Sequence, residues 1–464
     1  MIDLDLVYAA YQAAEERTRQ QNIVLMRDYY EGEHNAKMGK RQEEYIANNM
    51  PNPRFSVNYC APVVDAVVER MIVTGFQSGD EAYAAWCWDV WKHNKMDAKQ
   101  RDTHQQAINE AESFVFVDWP EGDRFPTYTP HPRYTDREVG GTGYGCKAHY
   151  AQDDPNQELE AISKRWYETY QDEGGKNKVR ERMNIYYPDR IERWVARAWS
   201  RQHNAGWEPF ADEEGEAIIP EDGIPVAHIR KTGTYELWDA IVPQDIINKM
   251  ALDAIAIGDA CGFPIRMAYG WVATTDGRPP EDDGGNYMVL TPGSWISVSG
   301  KEARTEVIPP ADLLQVMTTI DSWIMKLAQV TGTPSARFQI TGLIAAEGTL
   351  KQQEGPLLAK VRAHKTLIGN GWENLCDIAR RLGAEHGVAY GEDMKVETQW
   401  GPSETRDEPT IDEKVKAGVP RETLWEDMGY DKDRIAAMKA QSAEELASTS
   451  NLGGALLQQF ERGV

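Results

Sequence analysis

The reading of this chain turns on Pro309–Gly342, PPADLLQVMTTIDSWIMKLAQVTGTPSARFQITG. Leu313, Val316, Met317, Ile320, Trp323, Ile324, Leu327 and Val330 recur at helical spacing and form one apolar stripe. The opposite face carries Gln315, Thr318, Ser322, Lys326 and Gln329, and Lys326 is its one full positive charge. At 1.5 Å per residue such a helix spans roughly 30 Å. The periodicity stops at Gly332, and Gln329–Gly342 then gathers three Thr, two Gly, a Pro, a Ser and one Arg. A gap of that length between helices is either disordered or functional.

Working outward, a second long helical pattern follows the gap and runs to about residue 383, with Leu357, Val361, Leu367, Ile368, Leu375, Ile378 and Leu382 as its stripe. Gly355-Pro356 must kink or restart it, because proline lacks the backbone donor and clashes inside a helix. Upstream, Pro243–Ala260 reads as another helix, with Ile246, Ile247, Met250, Ala254 and Ile257 on one side. Between these two helices, residues 262–308 are a small excursion of strands and turns.

The first half of the chain is different in character. Residues 3–31 read as a helix, Val57–Phe76 as a second one stopped by Gly75, and residues 80–112 as helical again. Glu112–Trp119, ESFVFVDW, reads as a short buried strand. Strands and turns dominate from 120 to about 235, with DPNQELEAISKRWYETY (Asp154–Tyr170) as one helical piece among them. The expected fold class is therefore α+β, predominantly helical.

Composition narrows the function. The 464 residues are 41% hydrophobic and 27% charged, ordinary for a protein with a real core. The formal net charge of −24 repels phosphate backbones, which argues against a tight wrapper of nucleic acid. Fifteen Trp and twenty Tyr suit large interfaces or an aromatic-rich core. Cys60, Cys87, Cys146, Cys261 and Cys376 are scattered without a CxxC pair, so buried thiols are expected and a disulfide framework or zinc site is not. The N-terminus is acidic and amphipathic, unlike a signal peptide, and no apolar run is long enough to span a membrane.

Catalytic patterns are sparse. No HExxH, metal-spaced His pair or GxSxG elbow occurs. GGTGYGCK (Gly140–Lys147) resembles a phosphate loop only superficially: Cys146 separates Gly145 from Lys147, and Ala148 stands where the magnesium-binding hydroxyl belongs. A hairpin tip is the expected reading. The acid clusters Asp212–Glu214 and Glu281–Asp283 read as solvated turns. No catalytic residue, metal ligand or cofactor is assigned.

The order of elements resembles the tailed-bacteriophage portal protein family. The resemblance is carried by MRDYYEGEHN (Met26–Asn35), SVNYCAPVVDAVVERMIVTGF (Ser56–Phe76), the run from IPVAHIRK to YELWDAIVPQDIINKM with Gln244, Asp245 and Asn248, LAQVTGTPSARF (Leu327–Phe338), and AGVPRETLWEDMGY (Ala417–Tyr430). It implies a wing over residues 1–242, a first stem helix at 243–261, a clip at 262–308 and a second stem helix at 309–331. A tunnel loop at 332–348, a long kinked helix returning to the wing at 349–404, and a crown with C-terminal tail at 405–464 complete the set.

The resemblance further implies a homo-oligomeric ring of about twelve copies at one capsid vertex of the virion, assembled in the host cytoplasm. Double-stranded DNA would pass through it without sequence-specific contacts. The major capsid protein, any scaffold, the terminase and a head–tail adaptor would be its partners, with no membrane involved. No cofactor is implied, because the motor, not the ring, hydrolyses ATP. Lys326, Gln329, Thr331, Thr333, Ser335, Arg337 and Gln339 are the residues expected to border the channel or its constricting loop. Two other readings share parts of the signature: a different capsid-associated structural or connector protein, and a metal-dependent nuclease using Glu213 and Asp282.

Overall fold

A computed structural model describes residues 4–34, 56–120, 122–130, 145–151, 158–172, 174–196, 207–210, 216–218, 223–231, 233–262, 266–269, 295–298, 304–307, 312–338, 347–388, 390–391 and 393–403, with positions 40, 43–44, 47, 424–425, 434–435, 438–439 and 441. Two compact units divide the chain, Met1–Ser403 and Glu404–Val464. The elements below belong to the first; of the second, only those last seven positions are described.

Helices α1 (Leu4–Gln12) and α2 (Ala14–Glu31) open the chain and are separated at Ala13, whose ψ of 141° is not helical. Helix α3 (Cys60–Val68) buries Val63, Val64, Val67 and Val68, as its valine spacing predicts. It ends well before Gly75, which lies inside strand β1 (Val73–Ser78) and does not stop a helix. The β-branched and aromatic residues beyond Met71 pair with a strand from the far end of the unit, β14 (Val396–Trp400). Residues 80–112 hold two helices, α4 (Glu81–His93) and α5 (Met96–Glu110). Asp80 caps α4 by accepting from the Ala82 and Tyr83 amides, and Lys95 turns the corner at φ 56°.

Strand β2 (Glu112–Asp118) forms where the short apolar run predicts it. It is the centre of a three-stranded sheet between β3 (Thr127–Pro130) and the later β10 (Val226–Arg230). A second, antiparallel sheet runs β4 (Gly145–Tyr150), β5 (Leu159–Gln171), β6 (Asn177–Tyr186), β7 (Arg190–Ala196) and β8 (Trp207–Pro209), with β9 (Glu216–Ile218) also on β7. The helix expected at Asp154–Tyr170 is corrected here: residues 159–171 are strand. Its Leu, Ala and Lys residues fit a helical period, but Ile162 to Gln171 meet β6 residue for residue, from Ile162 opposite Tyr186 to Gln171 opposite Asn177. Pairing on that scale outweighs local propensity. Helix α1 lies on this sheet through Val7, which is buried with Ala161, Met183, Ile185 and Tyr187.

The rest of the unit is an excursion out of this α+β body and back. Helix α6 (Ile241–Gly262) continues through Gly258, and three short strands follow: β11 (Arg266–Tyr269), β12 (Trp295–Val298) and β13 (Arg304–Val307). β11 pairs with β12 in parallel and with β13 antiparallel. Helix α7 (Leu313–Thr331) packs on α6, and helix α8 (Glu347–Gly383) returns to the body as one helix with Pro356 inside it. Buried Ile247, Ile320, Ile324 and Leu327 share one core with α3, α4, β2 and the inner side of α8. Near its centre Trp91 meets Trp372 edge-on at 5.0 Å, and Trp372 donates to His104 Nε2 at 2.9 Å.

Candidate functional site: helix α7 and the loop that leaves it

Helix α7 begins where the Asp312 carboxylate accepts from the Leu314 amide at 2.9 Å. It ends at Gly332 with φ 63°, a left-handed conformation that costs glycine no steric strain. The Gly332 and Thr333 amides then reach back to the carbonyls of Gln329 and Ala328 at 3.2 and 3.0 Å. The apolar residues of α7 divide into two uses. Ile320, Ile324 and Leu327 are buried within the chain, while Leu314, Met317 and Val330 are 72%, 46% and 54% exposed. Gln315, Thr318, Ser322, Lys326 and Gln329 are all exposed, as the periodicity predicts. The Thr318 and Ser322 hydroxyls fold back onto Leu314 and Thr318 carbonyls, leaving a smooth, weakly charged face. Lys326 holds its ammonium 4.1 Å from the centre of the Trp323 ring.

The loop residues divide as well. Thr331 and Thr333, two of the residues expected to border a channel, are each 4% exposed within the chain. The Thr331 hydroxyl donates to the Leu327 carbonyl at 2.8 Å and lies 3.0 Å from that of Thr333. The turn at Gly332 folds the pair inward, so the hydroxyls finish the helix end. Ser335 is half-buried and donates to Gln353 Oε1 at 3.4 Å. Arg337 is exposed but ion-paired with Glu69 at the end of α3, and Phe338 sits edge-on to Tyr59 at 6.0 Å. Gln339 lies outside the described residues.

Behind the loop is a charged node that periodicity does not reveal. Glu236 is buried and receives Lys231 Nζ at 2.8 Å and Lys360 Nζ at 2.6 Å, with His364 Nε2 3.6 Å away. Lys360 also donates to the Thr331 carbonyl at 2.6 Å, placing a cation on the negative end of α7. Burial alone would raise the Glu236 carboxyl; His364 and the two ammoniums outweigh it and hold the group well below the usual carboxylate range. The node therefore ties the segment before α6, the end of α7 and the middle of α8 to one anion.

A second polar joint anchors α6. Gln244 Oε1 accepts from the Tyr59 amide at 2.9 Å, Asn248 Oδ1 from the Val57 amide at 2.8 Å, and Asp245 from the Tyr29 hydroxyl at 2.7 Å. The family resemblance marks these three residues, and in the fold they fasten α6 to α2 and to the segment entering α3. Lys147 of the phosphate-loop look-alike lies within β4 and is ion-paired with Glu16. Cys60, Cys87, Cys146 and Cys376 are buried free thiols. The acid clusters at 212–214 and 281–283 lie outside the described residues.

Among the described residues, no three His, Cys, Asp or Glu are grouped to hold a metal ion, and no helix is long and apolar enough to cross a membrane. Two long helices leave and rejoin an α+β body, fastened to it by the Glu236 node and by the Gln244–Asn248 joint. The chain belongs to the phage portal protein family, in its SPP1 Gp6-like form, which it matches over residues 10–449. Members are capsid-associated structural proteins for DNA packaging and are not enzymes. No curated protein matches the chain.

Proposed function

We propose that copies of this chain close into a ring at one capsid vertex, around a channel through which double-stranded DNA enters and leaves the virion. The divided surface of α7 carries this reading. Its exposed apolar residues, Leu314, Met317 and Val330, offer contact area to a neighbouring copy, and its largely uncharged polar face, with Lys326 its one cation, suits a wall along which DNA slides. Dense Lys and Arg would bind successive phosphates and oppose movement. A head-to-tail contact between unlike surfaces closes into a ring when the rotation permits, here at about twelve copies.

In this assignment the body up to residue 242 is the wing, α6 and α7 are the stem, β11–β13 lie in the clip, and α8 returns to the wing. Lys326, Gln329, Ser335, Arg337 and Gln339 remain as residues facing the DNA or the loop that narrows around it. The terminase docks on the ring during filling and a head–tail adaptor afterwards, with the major capsid protein and scaffold around the wing. Negative-stain microscopy and mass photometry of the purified chain should show closed rings with an axial hole wide enough for a duplex. A strictly monomeric protein at every concentration and salt tested would overturn the proposal, as would a ring too narrow for DNA.

A further inference from the structure

His34 follows the left-handed cap at Gly32 that ends α2, and it is 6% exposed. Its ring stacks on Tyr29, with centroids 4.2 Å apart and planes 9° from parallel. The protonation state follows from the partners. The Val57 amide can only donate, so the Asn248 atom 2.8 Å from it is oxygen. That makes the other end of the Asn248 amide an NH2 group, 2.9 Å from His34 Nε2. Nε2 must then accept, and Ser56 Oγ approaches the same nitrogen at 3.1 Å. The ring proton sits on Nδ1, 3.3 Å from the Asp28 carbonyl. The Asn248 bond is made only by a neutral imidazole; a protonated Nε2 could donate to Ser56 Oγ but not to the Asn248 NH2.

We propose that His34 is a proton-operated latch on the joint between α6 and the body: neutral, it fastens α2, the Ser56–Tyr59 segment and α6 through Asn248; protonated, it releases the start of α6. A second proton turns Nε2 into a donor facing the Asn248 NH2. Flipping the amide does not help, because the NH2 group then faces the Val57 amide in a site where Asn248 is fully buried. A buried donor left without its acceptor is destabilising.

The charged and titratable neighbours are Asp28 and Tyr29 on α2, Tyr59 before α3, Cys60 at its start, and Asp245 on α6. Asp245 is already engaged by the Tyr29 hydroxyl. Burial lowers His34 below the ordinary histidine value, with the Asp28 carbonyl and the charges of Asp245 and Asp28 opposing but not outweighing it. A released histidine titrates near ~6.5, so the clasp is whole above that pH and weakens as pH falls below it.

Hydrogen exchange followed by mass spectrometry on the full chain tests this, with rates corrected for the intrinsic pH dependence of amide exchange. Between pH 8 and pH 5, protection in peptides covering 56–60 and 241–252 should fall, approaching about tenfold per pH unit where one proton drives release. In His34→Gln the amide oxygen still accepts from Asn248 but does not titrate, so protection there should be independent of pH. In Asn248→Asp the carboxylate accepts from both Val57 and an imidazolium, so the dependence should reverse, with greater protection in acid. A flat wild-type profile, the same acid loss in His34→Gln, or an unreversed Asn248→Asp would each overturn the latch.

Discussion

Replacing Glu236 by Gln keeps the side chain's size and removes the anion shared by Lys231, Lys360 and His364. The side chains of Glu236 and Lys231 are 3% and 6% exposed, so solvent screening offers that pair little relief. Breaking a buried pair from one side costs about 3–5 kcal/mol. Lys360, 29% exposed, still has water and the Thr331 carbonyl, which places the expected loss near the lower end, about 3 kcal/mol. Urea unfolding followed by tryptophan fluorescence measures it, and hydrogen exchange should localise the loosening to 233–240 and 328–338. Adding Lys231→Met removes the stranded charge and should recover about 1–2 kcal/mol, since apolar replacement of a buried pair is often neutral. The acid limb sharpens the test. A lowered carboxyl contributes stability present above the ordinary glutamate value near ~4.3 and lost as pH falls towards the folded value, so Glu236→Gln should flatten the profile below that pH. A loss under about 1 kcal/mol, or a double variant no more stable than the single, would refute the reasoning.

Three further outcomes are expected. Arg337→Glu should leave ring assembly intact and change stability by no more than about 1 kcal/mol, because the pair with Glu69 is exposed, while DNA packaging or retention falls. Normal packaging by that variant removes the loop from the constriction, and rescue by Glu69→Lys would assign the defect to the lost ion pair. Leu314→Glu with Met317→Glu should give folded monomers in mass photometry with an unchanged circular dichroism spectrum; unaltered rings would show that α7 does not meet a neighbour there. Finally, burial pushes His149 down to about 4 and His104 down to about 3. Both are neutral in the fold and protonate near ~6.5 when unfolded, so stability should decline as pH falls from there, and His149→Gln should make the decline shallower in urea melts taken at several pH values.

Legibility in the sequence followed how local the deciding physics was. Helix α7 shows in the spacing of its apolar residues, and strand β2 shows as a short apolar run between turn residues. Strand β5 was misleading because Leu159, Ile162 and Trp166 also fit a helix, and only the neighbouring strand decides between the two. The exposed placement of Lys326 and Gln329 follows from helix geometry alone. The inward turn of Thr331 and Thr333 does not, since it depends on the bend at Gly332 and on what that bend meets. The Glu236 node was illegible for a plainer reason: Lys360 lies 124 residues from its partner, and no local pattern marks either side chain.

The pairing of β1 with β14 sets a timetable for the molecule. Thr74 bonds to the backbone of Gln399, 325 residues further along the chain. A ribosome adding about 5–20 residues per second takes roughly 16 to 65 s to cover that distance. Until then Val73–Ser78 has no partner strand, and the body is unfinished. A polypeptide truncated before Val396 has no β14 and leaves β1 with an open strand edge.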